Sequence, residues 1–157
     1  MQAITDIKHL TVQTLPPILV LTGEDVGQFE WLKKDILKKI GYDPSDLNYS
    51  YFDMKEASYD EVELDLVSLP FFADEKIVIL DHLLDLTTAK KRNLTDEDLK
   101  QFENYLENPS ESTHLLIFAE GKLDSKRRLV KLLKRDAQII EATTPKEQEV
   151  KRYFASQ

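Results

Sequence analysis

Three short runs of unbroken apolar residues constrain this chain most: Ile18-Leu19-Val20-Leu21, Ile77-Val78-Ile79-Leu80 and Leu115-Leu116-Ile117-Phe118. A strand with one wet face alternates apolar and polar residues, whereas an unbroken run belongs to a strand covered on both sides. Leu47 to Phe52 and Gln138 to Glu141 supply two further strands, and segments of helical spacing separate all five. Strands alternating with helices read as an α/β fold: a five-stranded parallel sheet with helices on both faces.

The connecting segments carry their own start and stop signals. Residues 1 to 17 form a short amphipathic lead-in with Ile4, Ile7 and Leu10 at helical spacing, stopped by Pro16-Pro17. Asp25 and Gln28 open a helix running to about Ile40, with Phe29, Leu32, Ile36 and Ile40 inward and Gly41 closing it. Thr95 with Glu97-Asp98 opens another, through Leu99, Phe102, Tyr105 and Leu106 to Asn108-Pro109. Ser125 to Arg135 is expected to be a basic helix, and Ala89 to Asn93 an exposed loop. Thr144-Pro145-Lys146-Glu147 reads as one more helix start. The expected division is therefore a domain over 1–143 and, over 144–157, the beginning of a helix of a following domain.

One helix departs from the ordinary pattern. Ser58 with Glu61 forms a capping box that starts a helix near Tyr59, and Pro70 biases Leu69 out of helical geometry, ending it near Ser68. Val62, Leu66 and Leu69 fall on one side of that helix, Leu64 and Val67 on the opposite side. A helix that only covers a sheet needs one apolar stripe. The second stripe runs on into Phe71 and Phe72 and is flanked by Asp60, Glu61, Asp65, Asp74 and Glu75. Aromatic anchors within a charged rim suit a protein interface, and Phe71 and Phe72 plugging the domain's own core suits the same spacing.

The chemistry is defined as much by what is missing. The 157 residues include no cysteine, so disulfides, thiolate metal sites and a cysteine nucleophile are excluded. A net charge of -8 disfavours nucleic acid as the main partner. No signal-peptide pattern or membrane-length apolar run is present, and a cytoplasmic protein is expected. The turn after the first strand reads Gly23-Glu24-Asp25-Val26-Gly27-Gln28-Phe29 and lacks the Lys-Ser or Lys-Thr ending of a phosphate loop. Glu24 and Asp25 would repel a phosphate oxygen by roughly 4 kcal/mol per unit-charge pair at 4 Å and an effective dielectric of 20. Asp81 ends the third strand as a magnesium-positioning aspartate does, but His82 follows it in place of a second acid, which favours a cap or turn role. His9, His82 and His114 lie on separate elements with no acidic grouping around them, so no metal site is expected. The serines lack a nucleophile-elbow context. Lys122, Lys126, Arg127, Arg128, Lys131, Lys134 and Arg135 read either as a solvated helix face or as a contact for an acidic partner or a phosphate backbone.

Taken in order, several stretches resemble the N-terminal domain of the delta subunit of the bacterial DNA polymerase III clamp loader. They are Leu21-Thr22-Gly23-Glu24-Asp25 with Phe29, Leu69-Pro70-Phe71-Phe72-Ala73-Asp74-Glu75-Lys76, Tyr105-Leu106-Glu107-Asn108-Pro109, and Glu120-Gly121-Lys122-Leu123-Asp124. The resemblance implies an AAA+/RecA-like fold with a degenerate phosphate loop at Gly23, Glu24, Asp25 and Gly27, and no catalysis or cofactor. It also implies a role in replication, which is to bind the ring-shaped sliding clamp (the beta subunit) and open it for loading on primed DNA. In that family an apolar pair at the Phe71-Phe72 position enters a clamp pocket, often with leucine at the first position. The implied clamp-binding set is Leu69, Pro70, Phe71 and Phe72, with Leu64 and Val67 beside it. The other loader subunits would be met through later domains, and DNA only within the loader. The alternatives are a P-loop-type ATPase with an atypical loop and a nucleic-acid-binding domain using the basic helix. Calorimetric titration with ATP is expected to give no heat of binding; saturable binding would favour the ATPase.

Overall fold

The computed structural model describes residues 15–68, 75–90 and 93–142. Five strands, β1 (Ile18–Gly23), β2 (Tyr49–Asp53), β3 (Lys76–Asp81), β4 (Thr113–Glu120) and β5 (Gln138–Ala142), pair in parallel in the order β2-β3-β4-β1-β5. The three unbroken apolar runs are the three inner strands, and the two mixed segments are the edges. That correspondence follows from burial: an inner strand covered on both faces is apolar along its middle, and its buried polar residues, Thr22, Lys76, Asp81 and Thr113, lie at or next to strand ends.

Among the described residues four helices cover the sheet: α1 (Val26–Lys39), α2 (Tyr59–Val67), α3 (Asp96–Glu107) and α4 (Arg128–Asp136). Successive strand residues point to opposite faces, so the core divides in two. On one side Leu19, Leu21, Ile79, Leu116 and Phe118 meet Phe29, Leu32 and Ile36 of α1. On the other, Val20, Val78, Leu80 and Ile117 meet Val62 and Leu66 of α2, Phe102 and Leu106 of α3, and Leu129 and Leu133 of α4. This is the α/β architecture read from the sequence, a five-stranded parallel sheet with helices on both faces.

The local signals act as expected. Asp25 accepts from the Gln28 N–H at 2.9 Å to start α1, and Gly41 takes the left-handed φ of 71° after Ile40. Ser58 caps α2 by accepting from Glu61 N–H at 3.4 Å, and Thr95 and Asp98 form a complete capping box on α3. Two boundaries differ. The second strand begins at Tyr49, two residues later than expected, because Asp46 accepts from the Asn48 and Tyr49 amides and turns the chain there. The basic helix begins at Arg128 because Asp124 gathers the Lys126 and Arg127 amides into a turn. Of the amphipathic lead-in expected over 1–17, residues 1–14, with Ile4, Ile7 and Leu10, lie outside the described residues, as does the helix start expected at Thr144-Pro145-Lys146-Glu147.

The end of β1 is closed by its own neighbours. Gly23 exchanges two backbone hydrogen bonds with Gly121, at 2.9 and 2.7 Å. Its φ is +129°, and a Cβ there would stand 2.3 Å from the Ala142 carbonyl oxygen at the end of β5. Gly23→Ala is therefore expected to destabilise the domain by about 2 kcal/mol or more. Urea denaturation followed by circular dichroism measures this; an unchanged midpoint would contradict the close approach.

Candidate functional site

The two-sided helix folds as its sequence demands, with only one side buried. Tyr59, Val62 and Leu66 pack into the core while Leu64 and Val67 remain 71% and 60% exposed. Asp60 and Glu61 lie in the solvent beside them. Leu69, Pro70, Phe71 and Phe72, which follow this helix in the sequence, lie outside the described residues. On their far side Glu75 is exposed and sits 2.9 Å from His114 Nε2.

The turn after β1 presents acid to the solvent. Glu24 is exposed, and the Asp25 carboxylate is committed to capping α1. A Cβ on Gly27 would meet only that carboxylate, at 3.7 Å, so this glycine is not required by a close backbone approach. Gly23 is required, but by β5 and Gly121, not by a ligand.

At the ends of β2 and β3 the structure gathers what spacing did not reveal. Register places Asp53 level with Asp81. Asp81 is 1% exposed and pairs with Lys33 Nζ of α1, accepts from the Tyr51 hydroxyl, and accepts from the His82 amide at 2.8 Å. The Lys33 ammonium also lies 5.6 Å from the Phe118 ring centroid. Burial, then the hydrogen bond and charge of Asp81, push the Tyr51 hydroxyl far above the ordinary tyrosine range, so it stays protonated and donates. His82 has a φ of 58°, and its Nδ1 lies 3.0 Å from Asp53 Oδ1. The Lys55 backbone N–H, with a smaller contribution from His82, lowers the Asp53 pKa against a desolvation that raises it.

These contacts correct two expectations. Asp81 is more than a cap or turn residue; it is a buried carboxylate with three donors. His82 and His114 do have acids around them, Asp53 and Asp81 for the first and Glu75 for the second. Parallel registration brings strand ends together from positions about thirty residues apart, which linear spacing does not display. Among the described residues no group of three or more such side chains is disposed to hold a metal ion.

The basic helix is partly neutralised at home. Arg128 reaches Glu103 and Glu107 of α3, and Arg135 reaches Glu107 and Asp136. Asp85, unremarked in the sequence, is 1% exposed and accepts from the Asn93 and Leu94 amides, which organises the approach to α3.

Over residues 19–143 the sequence matches the family model described as DNA polymerase III, delta subunit. The chain belongs to that family. It is 30% identical over 137 residues to the DNA polymerase III subunit delta of Bacillus subtilis, an alignment covering 86% of this chain and 40% of that protein. The solved Bacillus subtilis DNA clamp loader delta protein superposes with a TM-score of 0.72 at 26% identity, over 90% of this chain and 41% of that one. A DNA polymerase III gamma subunit-related protein of Thermotoga maritima shares the fold, with a TM-score of 0.56 at 15% identity over 94% and 47% of the two chains. This delta-family chain thus spans about two fifths of the relatives' length. Among the described residues no helix is long and apolar enough to cross a membrane.

In this member of the delta family, the ammonium of Lys33 neutralises a carboxylate that has almost no access to water. Removing one partner of a buried pair leaves the other uncompensated. Lys33→Met is expected to destabilise the domain by about 3 kcal/mol, and adding Asp81→Asn to restore most of that loss. Denaturant midpoints of both variants check this; equal stability of Lys33→Met and the parent would show the pair to be dispensable.

Proposed function

We propose that this chain is the clamp-binding part of a clamp-loader delta subunit, which grips the sliding clamp and favours its open ring for loading on primed DNA. The observation that carries the reading is the outward face of α2: Leu64 and Val67 stay in water on a helix whose other side is fully packed. That strip is followed in the sequence by Leu69-Pro70-Phe71-Phe72, which supplies the aromatic pair. The acids around it form a rim suited to a protein surface.

Magnitudes support a shared interface. Burying two phenylalanines contributes roughly 3 to 6 kcal/mol. Association costs a comparable amount or more, while a micromolar complex needs about 8 kcal/mol net. Leu64, Val67 and Leu69 therefore contribute alongside the pair. Ring opening follows if α2 makes better contact with the open clamp than with the closed one, since only differential affinity shifts an equilibrium.

No catalytic role or nucleotide is assigned. The exposed Glu24 and the Gly23–Gly121 pairing disfavour phosphate at the turn after β1. The Arg128 and Arg135 pairs disfavour a nucleic-acid role for α4. Other loader subunits are partners of the whole protein, DNA is met within the assembled loader, and the compartment is the cytoplasm.

Phe71→Ala combined with Phe72→Ala is expected to weaken clamp binding at least 100-fold, and Leu64→Ala with Val67→Ala about tenfold, with the circular dichroism spectrum unchanged. Calorimetry with purified clamp measures both. Parental affinity in the phenylalanine variant would remove the mechanism.

A further inference from the structure

Lysine is seldom buried unless it is paired, yet Lys76, the first residue of β3, is only 5% exposed. Its ammonium sits against the carboxyl end of α2. It donates to the Asp65 carbonyl oxygen and to Ser68 Oγ at 2.8 Å, and it lies 3.6 Å from Asp65 Oδ1. Helix ends of this polarity favour a cation, and α2 has no basic residue in its own last turn. The cation comes instead from beyond the segment that follows. One ammonium therefore joins the residues on either side of 69–75.

The sheet holds this junction in place. The Lys76 amide donates to Ser112 O at 2.9 Å, and Thr113 Oγ1 donates to Leu66 O at 3.5 Å. Ser68 turns its amide and hydroxyl back onto the Asp65 carbonyl, at 3.3 and 3.0 Å. Both flanks of the segment are thus tied to the first residues of β3 and β4. Val67, one of the two exposed apolar side chains of α2, lies between the two residues whose oxygens the ammonium holds.

We infer that Lys76 is a positioning residue for the clamp: its ammonium caps the carboxyl end of α2 and fixes the pose of Leu64 and Val67 on that helix. The inference rests on the clamp-binding reading. Its physical basis is preorganisation. An interface keeps only the surplus over its ordering cost, and holding the end of α2 in place before binding lowers that cost.

The test uses this chain and purified sliding clamp. Lys76→Met keeps the apolar stem and removes the charge; it is expected to weaken clamp binding about tenfold and to speed amide exchange at Ser68. Lys76→Arg, which retains a cation, is expected to recover most of that loss. Ile140→Val, on β5, supplies a comparable modest stability loss far from the junction and is expected to leave clamp affinity unchanged. Should Lys76→Met fail to fold, Ser68→Ala at its exposed position removes one acceptor and is expected to weaken binding two- to threefold. If Lys76→Met binds like the parent while the phenylalanine double variant does not, the positioning role is overturned and the clamp-binding reading stands. If Ile140→Val loses as much affinity as Lys76→Met, the effect is one of general stability and the inference falls. If the parent chain itself fails to bind the clamp, both fall together.

Discussion

A helix nine residues long can bury only one side against a sheet, and α2 has apolar residues on two. Everything distinctive about this domain follows from how that conflict is settled. Val62 and Leu66 take the inner side because β3 and β4 present Val78, Leu80 and Leu115 to them. Leu64 and Val67 are left in water, where they cost the isolated domain something and gain it nothing. A partner that covers them recovers that apolar area, and the apolar Leu69-Pro70-Phe71-Phe72 follow them in the sequence. The folded domain thus stores unburied apolar area at one end of one helix and holds that end through Lys76 and Ser68.

The opposite arrangement governs the ends of β1 and β3. In an open α/β sheet, ligands bind outside the carboxyl ends of the strands. Here those ends satisfy themselves. Gly23 is paired with Gly121 and pressed against Ala142, while Asp81 is neutralised by Lys33 and hydrogen-bonded by Tyr51 and His82. The open α/β scaffold is present, with internal donors and acceptors answering one another at these strand ends. Such a domain serves well as a rigid mount, because its strand ends are fixed by the chain itself.

Much of this was legible in the sequence where the signal was local. The unbroken runs marked strands covered on both faces, Asp25, Ser58 and Thr95 marked helix starts, and the placement of Leu64 and Val67 opposite Val62 predicted the exposed strip. Signals that depend on register were not legible. The meeting of Lys33, Tyr51 and Asp81 requires knowing that β2 lies beside β3 and that Lys33 of α1 reaches the end of β3. The same holds for Lys76, which reads as an ordinary charge flanking a strand until the end of α2 is set beside it. The late start of β2 was hidden because the Asp46 side chain competes with the strand for the Asn48 amide, a contest that apolar patterning does not register.

Amide hydrogen exchange of the chain, alone and saturated with sliding clamp, tests the central claim most directly. Protection on adding clamp is expected to concentrate in residues 60–76, with β5 and α4 unchanged. Protection centred on α4, with 60–76 exchanging as in the free chain, would contradict it.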